Sequence, residues 1–246
     1  MRYLLLSDIH ANLYALQAVL KDAEGKYDSA WFLGDVVGYG PHPNECIELL
    51  AGLNCLGVAG NHDWAAVGNL GTHHFNPEAQ RVLAWTRSVL SQSSLQYLES
   101  LQLSVVAEDD FTLAHGSPRQ PIWEYVLHAT VAMANLGHFS TRYCIVGHTH
   151  HPIIYQGPHG RRRICRDLML METNDPQPLP GARLILNPGS VGQPRDGDPR
   201  ASYAILDPAM GTLAYRRVDY PVTRTQEAML ELDFPARLIY RLILGL

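Results

Sequence analysis

Five short apolar runs between residues 3 and 146 are each followed at once by residue types able to hold a metal ion. Residues 3–6 lead to Asp8 and His10, and 30–33 to Gly34-Asp35. Residues 55–59 lead to Asn61 and His62, 111–114 to His115, and 143–146 to His148 and His150. Short continuous apolar runs bounded by Gly read as buried strands. The carboxyl ends of strands in an open α/β sheet face the ligand crevice. If these strands lie side by side, all of the polar groups converge on one rim. Asp35, with two carboxylate oxygens, could then bridge two ions. A single histidine is more often a surface or core residue than a ligand, and the repetition after successive strands reverses that prior.

The rest of the pattern agrees with a sheet-based fold. Leu13, Leu16, Val19 and Leu20 repeat at helical spacing behind Asn12, a candidate N-cap. Strand, helix and second strand make a βαβ unit, which calls for a parallel pair and a right-handed crossover. Residues 103–107 and 111–114, separated by Glu108-Asp109-Asp110, read as an antiparallel hairpin. A helix is expected over 122–136, strands over 153–155, 162–166, 183–186, 203–206 and 213–218, and two helices over 223–232 and 236–244. Residues 171–181, with three prolines, read as a surface loop. No repeat or linker interrupts the chain, so residues 1–246 are expected to form one α/β domain with a mixed core of two sheets and helices outside.

Composition narrows the class of partner. A formal charge of -5 argues against a role in coating nucleic acid. The basic run Arg161-Arg162-Arg163 with Arg166 reads as a solvated hairpin. The four cysteines show no C-x-x-C pairing and are expected to be reduced. The first apolar run is too short for a secretion signal. Residues 238–246 are too short to span a bilayer and carry Arg241. The expectation is a cytoplasmic protein with no membrane partner, and nothing in the pattern specifies an oligomeric state.

In order, the polar elements are Asp8-x-His10, Gly34-Asp35, Gly60-Asn61-His62-Asp63, His115-Gly116 and Gly147-His148-x-His150. This series resembles the signature of the calcineurin-like metallophosphoesterase superfamily, D-x-H, G-D-x-x, G-N-H-[DE], a lone H and G-H-x-H. Asn187-Pro188-Gly189-Ser190 is similar to the N-P-G-S element of the smaller bacterial members, and residues 34–40 and Gly192-Gln193-Pro194-Arg195 extend the likeness. The resemblance implies a four-layer α/β/β/α sandwich with two mixed central sheets. It implies two divalent metal ions, Mn, Fe or Zn, since an N/O donor set suits several first-row ions. Asp8, His10 and His150 would hold one ion, Asn61, His115 and His148 the other, and Asp35 both. The implied chemistry is in-line attack on phosphorus by a metal-bridging hydroxide, with His62 as general acid. Asp63 would orient the loop or the imidazole, and Asn61 would also face the substrate.

One departure bears on substrate. In the Ser/Thr protein phosphatases of the superfamily the second motif runs G-D-x-x-D-R-G, whereas here those two places hold Gly38 and Tyr39. A phosphoprotein substrate is therefore disfavoured, and phosphate contacts are expected from Arg119 or Arg195. His42, His73 and His74 read as exposed loop residues, with a place bordering the crevice as the alternative. Trp123 and Tyr125 read as packing residues, with stacking on a base as the alternative. The expected function is hydrolysis of a small phosphodiester or nucleotide-type phosphate ester. The alternatives are a nuclease that uses Arg161 to Arg163 to track a backbone, and a non-catalytic metal-binding interaction scaffold.

Overall fold

Alternate side chains of β1 (Tyr3–Leu6) part to opposite faces, and that parting sets the layers. Leu4 and Leu6 pack against Ala15, Leu16 and Val19 of α1 (Leu13–Ala23). Tyr3 and Leu5 face the other way and join Trp31, Phe111, Leu113, Ile145, Leu184 and Leu186 in a core between two sheets. The computed structural model describes residues 1–158, 165–169, 172 and 175–246.

The remaining strands are β2 (Ser29–Phe32), β3 (Cys55–Gly57), β4 (Ser104–Ala107), β5 (Phe111–Ala114), β6 (Tyr143–Ile145), β7 (Pro152–Gln156), β8 (Arg166–Met169), β9 (Gln177–Pro178), β10 (Leu184–Pro188), β11 (Ala201–Asp207) and β12 (Thr212–Val218). The first sheet runs β3-β2-β1-β11-β12-β9 and the second β4-β5-β6-β10-β7-β8. β1, β2 and β3 are parallel, as are β5, β6 and β10, while the other pairings are antiparallel. Each sheet thus carries a parallel triplet whose carboxyl ends open on the same side of the molecule.

Helices α2 (Pro43–Ala51), α3 (Asn61–Ala66), α4 (Pro77–Val89), α5 (Gln92–Ser100), α6 (Ala129–Asn135), α7 (Val222–Glu231) and α8 (Ala236–Leu244) complete the fold. α1, α2 and α5 cover the outer face of the first sheet. Ala132 of α6 packs with Cys144, Ile153, Tyr155 and Ile185 on the outer face of the second. The order of layers is α/β/β/α, as the motif resemblance implied. α4, α7 and α8 make a further apolar cluster with Tyr39 and Phe75, beside the carboxyl ends of the parallel strands. Among the described residues no helix is long and apolar enough to cross a membrane.

Asn12 caps α1 as its position suggested, its Oδ1 accepting from the Ala15 amide at 3.2 Å. The same oxygen accepts from Thr225 of α7 at 2.9 Å, and Nδ2 donates to the Gly192 carbonyl at 2.9 Å. The expected helix over 122–136 is shorter, confined to α6. Residues 122–128 are irregular because Glu124 is drawn into bonds with Ser117, Asn135 and Arg119, and the Gly116 amide closes a tight loop onto Pro121. Their apolar spacing reflects a loop that buries Ile122 and Val126, not a helix face. Arg161, Arg162 and Arg163 lie outside the described residues, as does most of the strand expected over 162–166.

Candidate metal centre

The loops that follow the two parallel triplets meet at one buried cluster. Asp8, His10 and His150 form one group of donor atoms, all within 4.8 Å of one another. Asp35, His115 and His148 form a second, and Asp35 with His10 and His62 a third. Asp35 sits between them, its Oδ2 at 3.3 Å from His115 Nε2 and 3.8 Å from His10 Nε2. Asn61 Oδ1 lies 3.1 Å from His115 Nε2. The seven residues expected to hold metal are therefore brought together, each at most 3% exposed.

The local geometry differs from a simple strand end. β1 stops at Leu6, and Asp8 and His10 take positive φ values of 51° and 49°, so the D-x-H pair is presented by a turn and not by strand alternation. Asp35, His148 and His150 are also left-handed, at 60°, 66° and 60°. Asp and His tolerate that region better than most side chains, yet each such residue costs on the order of 1–3 kcal/mol. Backbone bonds between loops hold them there. Asp8 N donates to Gly34 O at 3.0 Å, His10 N to Asp35 O at 2.9 Å, and His148 N to Asp8 Oδ2 at 3.1 Å.

The N-P-G-S element serves as a brace across both sheets. Asn187 Nδ2 donates to Gly147 O at 2.6 Å and to Thr149 Oγ1 at 2.9 Å, fixing the loop that carries His148 and His150. Ser190 Oγ donates to Asp8 O at 2.8 Å and accepts from Gln193 N at 2.8 Å. Gly60 allows a close approach between loops, since a Cβ there would stand 2.0 Å from Asp35 Oδ1.

Ring orientation tests whether these donors suit a cation. His10 Nδ1 donates to Val37 O at 3.1 Å, and His150 Nδ1 to Gln193 O at 2.5 Å. Each neutral ring then carries its lone pair on Nε2, and these two atoms face each other at 3.2 Å. His115 Nδ1 donates to Leu33 O at 2.8 Å, so its Nε2 lone pair converges with Asn61 Oδ1 and, at 3.0 Å, with His148 Nδ1. Buried acceptors aimed at one another repel unless positive charge lies among them. A carbonyl fixing one ring nitrogen so that the other is free is the usual support of a metal-bound imidazole. The donor set fits divalent ions.

The charges respond in the same sense. Burial pushes Asp8 up to about 7. Burial pushes Asp35 up too, but the His115, His62 and His10 rings outweigh it and hold the carboxyl well below the ordinary range. Burial lowers His115, yet Asp35 and Asp8 outweigh it and pull it up to about 9, so the two carboxylates make this a place that favours positive charge. Burial holds His10, His148 and His150 well below the usual imidazole range, leaving their nitrogens as lone-pair donors.

Asp63, expected to orient the loop or the imidazole, is fully buried and bonds to backbone. It accepts from Asp35 N at 2.7 Å, Gly60 N at 2.9 Å and Val37 N at 3.2 Å, while burial pushes its carboxyl up to about 7. These bonds tie the Asp35 loop to the start of α3. Asp63→Asn turns an amide NH2 toward those donors, and an unsatisfied buried donor costs about 1–3 kcal/mol. The expected result is a lower melting temperature in calorimetry, by about 2–4 °C per kcal/mol. An unchanged melting temperature would contradict this bracing role.

A cavity of about 90 Å³ opens over the cluster, lined by Asp35, Asn61, His62, His148 and His150 and by Tyr39, His74, Phe75, Asn76, Trp123, Tyr125 and Arg195. His62 is 3% exposed, and its ring lies 4.5 Å from Tyr39 and 4.9 Å from Phe75. Its Nδ1 has no hydrogen-bond partner, and burial lowers it to about 4. Gly38, at φ +88°, leaves room for that ring, because a Cβ would stand 2.3 Å from His62 Nδ1. Arg195 donates from Nη2 to Gln193 Oε1 at 2.9 Å, while its buried Nε has no partner. Its guanidinium lies 5.9 Å from the ring of Tyr39, the residue at the motif arginine's place. Arg119 lies outside the cavity lining and is held by Glu124, Nε to Oε2 at 2.8 Å.

Tyr39 and Phe75 had no role in the sequence reading, whereas Trp123 and Tyr125, read there as packing residues with stacking as the alternative, and His74, read as exposed, line the cavity. Loop aromatics separated by tens of residues give no periodic signal. Of the other loop histidines, His42 packs edge-on to Tyr14 and His73 against His74.

Residues 1–211 match the calcineurin-like phosphoesterase superfamily domain. An uncharacterised protein of Methanocaldococcus jannaschii is 36% identical over 246 residues, covering 98% of this chain and 96% of its own. The crystal structure of a metallophosphoesterase from Sphaerobacter thermophilus superimposes with a TM-score of 0.88 at 44% identity, covering 100% of this chain and 99% of that one. A hypothetical protein from Pyrococcus horikoshii shares the fold with a TM-score of 0.79 at 18% identity, covering 99% and 98% of the two chains.

Proposed function

The chain belongs to the calcineurin-like phosphoesterase superfamily and is a phosphoric ester hydrolase, and from that premise we propose that it hydrolyses a small phosphodiester or nucleotide-type phosphate ester at a dinuclear metal centre. Asp8, His10 and His150 would hold one ion, Asn61, His115 and His148 the other, and Asp35 would serve both. Manganese, iron and zinc all suit this donor set. Divalent ions bound there supply Lewis acidity, lower the pKa of water from 15.7 to about 7 and neutralise phosphoryl charge. The observation that carries the reading is the convergence of imidazole lone pairs, Nε2 to Nε2 at 3.2 Å between His10 and His150.

The chain's own groups do the rest. Arg195, with an unpartnered Nε at the cavity, binds the phosphoryl oxygens. Asn61 faces the same space and orients the ester. His62 gives its proton to the departing oxygen. An anionic ester in the cavity favours the protonated ring, so the proton that burial disfavours is taken up with the substrate. Aromatic side chains around the cavity limit water at the reacting centre. Residues 1–246 act as one domain in this reading, since α7 and α8 pack on Tyr39 and Phe75 at the edge of the cavity.

The test is turnover by protein stripped of metal and reloaded with Mn²⁺, on bis(p-nitrophenyl) phosphate against p-nitrophenyl phosphate. The expected result is metal-dependent hydrolysis that saturates at two ions per chain and favours the diester. Preference for the monoester would redirect the reading to a nucleotide monoesterase. Metal-bound protein that turns over neither ester would overturn the catalytic reading in favour of a scaffold.

A further inference from the structure

The cavity over the donor cluster, about 90 Å³, is lined on its inner side by the proposed ligands and opens outward past Tyr39, Phe75, Trp123 and Tyr125, so a group attached to a phosphoryl seated at the cluster meets that rim. That rim is aromatic. The Tyr125 ring lies parallel to His148, with centroids 3.9 Å apart and planes 15° apart, while 44% of the residue remains exposed. Trp123 meets Phe75 at 5.1 Å and His74 at 5.6 Å, both edge-on.

The segment that carries these two rings is braced from behind. Glu124 lies between them in sequence but is not part of the cavity lining. Its carboxylate accepts from Ser117 Oγ at 2.7 Å and Asn135 Nδ2 at 2.8 Å and pairs with Arg119, which together hold it well below the usual carboxylate range, at about 2. A loop fixed in this way presents Trp123 and Tyr125 with little freedom left to lose on binding. Packing alone does not require an aromatic ring at a position as exposed as Tyr125.

We propose that Trp123 and Tyr125 form a stacking wall for a planar base, and that the substrate is a phosphate ester of a nucleoside. This rests on the phosphoesterase reading above and narrows it. A nucleoside suits the layout because its sugar spaces the base away from phosphorus, which leaves the phosphoryl group in the cavity and the ring on the rim.

The experiment uses the Mn²⁺-loaded full chain and substrates matched in their scissile bond. One pair is adenosine monophosphate against ribose phosphate, both primary monoesters. The second is the methyl diester of thymidine monophosphate against dimethyl phosphate. Base–aromatic stacking predicts a preference in kcat/KM of about ten- to a hundredfold for the base-bearing member. Tyr125→Ala and Trp123→Ala should each shrink that ratio toward one, and Tyr125→Phe, which keeps the ring, should retain it. Hydrolysis that ignores the base, or a ratio that survives both alanine variants, overturns the proposal and leaves the phosphoesterase reading intact. Turnover of none of the four esters by metal-bound protein removes that reading, and the proposal with it.

Discussion

Asp35→Asn is expected to lower kcat/KM by more than about a thousandfold, beyond the usual cost of deleting one preorganised electrostatic group. Asp35 belongs to two of the three donor groups, with Oδ2 near both His115 and His10. Asparagine keeps the shape and retains an oxygen to accept from His62 N, the bond now made by Oδ1 at 2.9 Å. It removes the charge and turns one donor atom into an NH2 that cannot bind a cation. The fold should therefore persist while metal affinity falls.

Two readouts separate this from general damage. Metal at a hundredfold excess over its Kd stabilises a single-site protein by about 2.7 kcal/mol. For a chain of this size that is a rise in melting temperature of about 5–10 °C. The wild-type protein should show the rise and Asp35→Asn should lose most of it, with the metal-free melting temperatures staying close. Equilibrium dialysis should show fewer than two tightly bound Mn²⁺. Full retention of both ions by the variant would remove Asp35 from the bridging position.

The donors of this site were legible because their chemistry is written in residue type and position. Asp8, Asp35, His115, His148 and His150 each follow an apolar run closely, and parallel strands bring such ends together whatever the rest of the chain does. The way they are presented was not legible. Positive φ at Asp8 and His10 depends on bonds to Gly34 and Asp35, some 25 residues away, and no local pattern reports such a bond. The same limit applies to residues 122–128. Their apolar spacing looks helical, but the conformation is decided by where Glu124 finds partners.

Gly38 shows the limit of motif reading from the other side. In sequence it is a missing aspartate, and it says only what the protein lacks. In the fold the position has no room for a side chain, because the His62 ring fills the space a Cβ would need. His62 is held by Tyr39, His10 and Phe75 instead of by a carboxylate. Arg195 approaches the Tyr39 ring from a loop more than 150 residues along the chain. The sequence named Arg119 and Arg195 alike as candidates for phosphate contact, and of the two only Arg195 lines the cavity.

That unsupported imidazole makes His62→Ala the most diagnostic substitution for mechanism. General acid catalysis by a placed side chain contributes about 10²–10⁴-fold. The loss should depend on the leaving group. An alkoxide needs a proton as the bond breaks, so alkyl esters should fall by the full amount. p-Nitrophenolate departs without one, so the activated ester should fall by much less. The dependence of log kcat on leaving-group pKa should steepen in the variant. His62 is not among the proposed ligands, so metal stoichiometry and the metal-dependent rise in melting temperature should be retained. His62 N also bonds Asp35 through the backbone at 2.9 Å, a contact that alanine preserves. A loss of equal size for alkyl and p-nitrophenyl esters would mean that His62 shapes the cavity or binds the phosphoryl group without delivering a proton. Loss of one metal ion in the variant would instead assign it to the donor set through the third group it forms with His10 and Asp35.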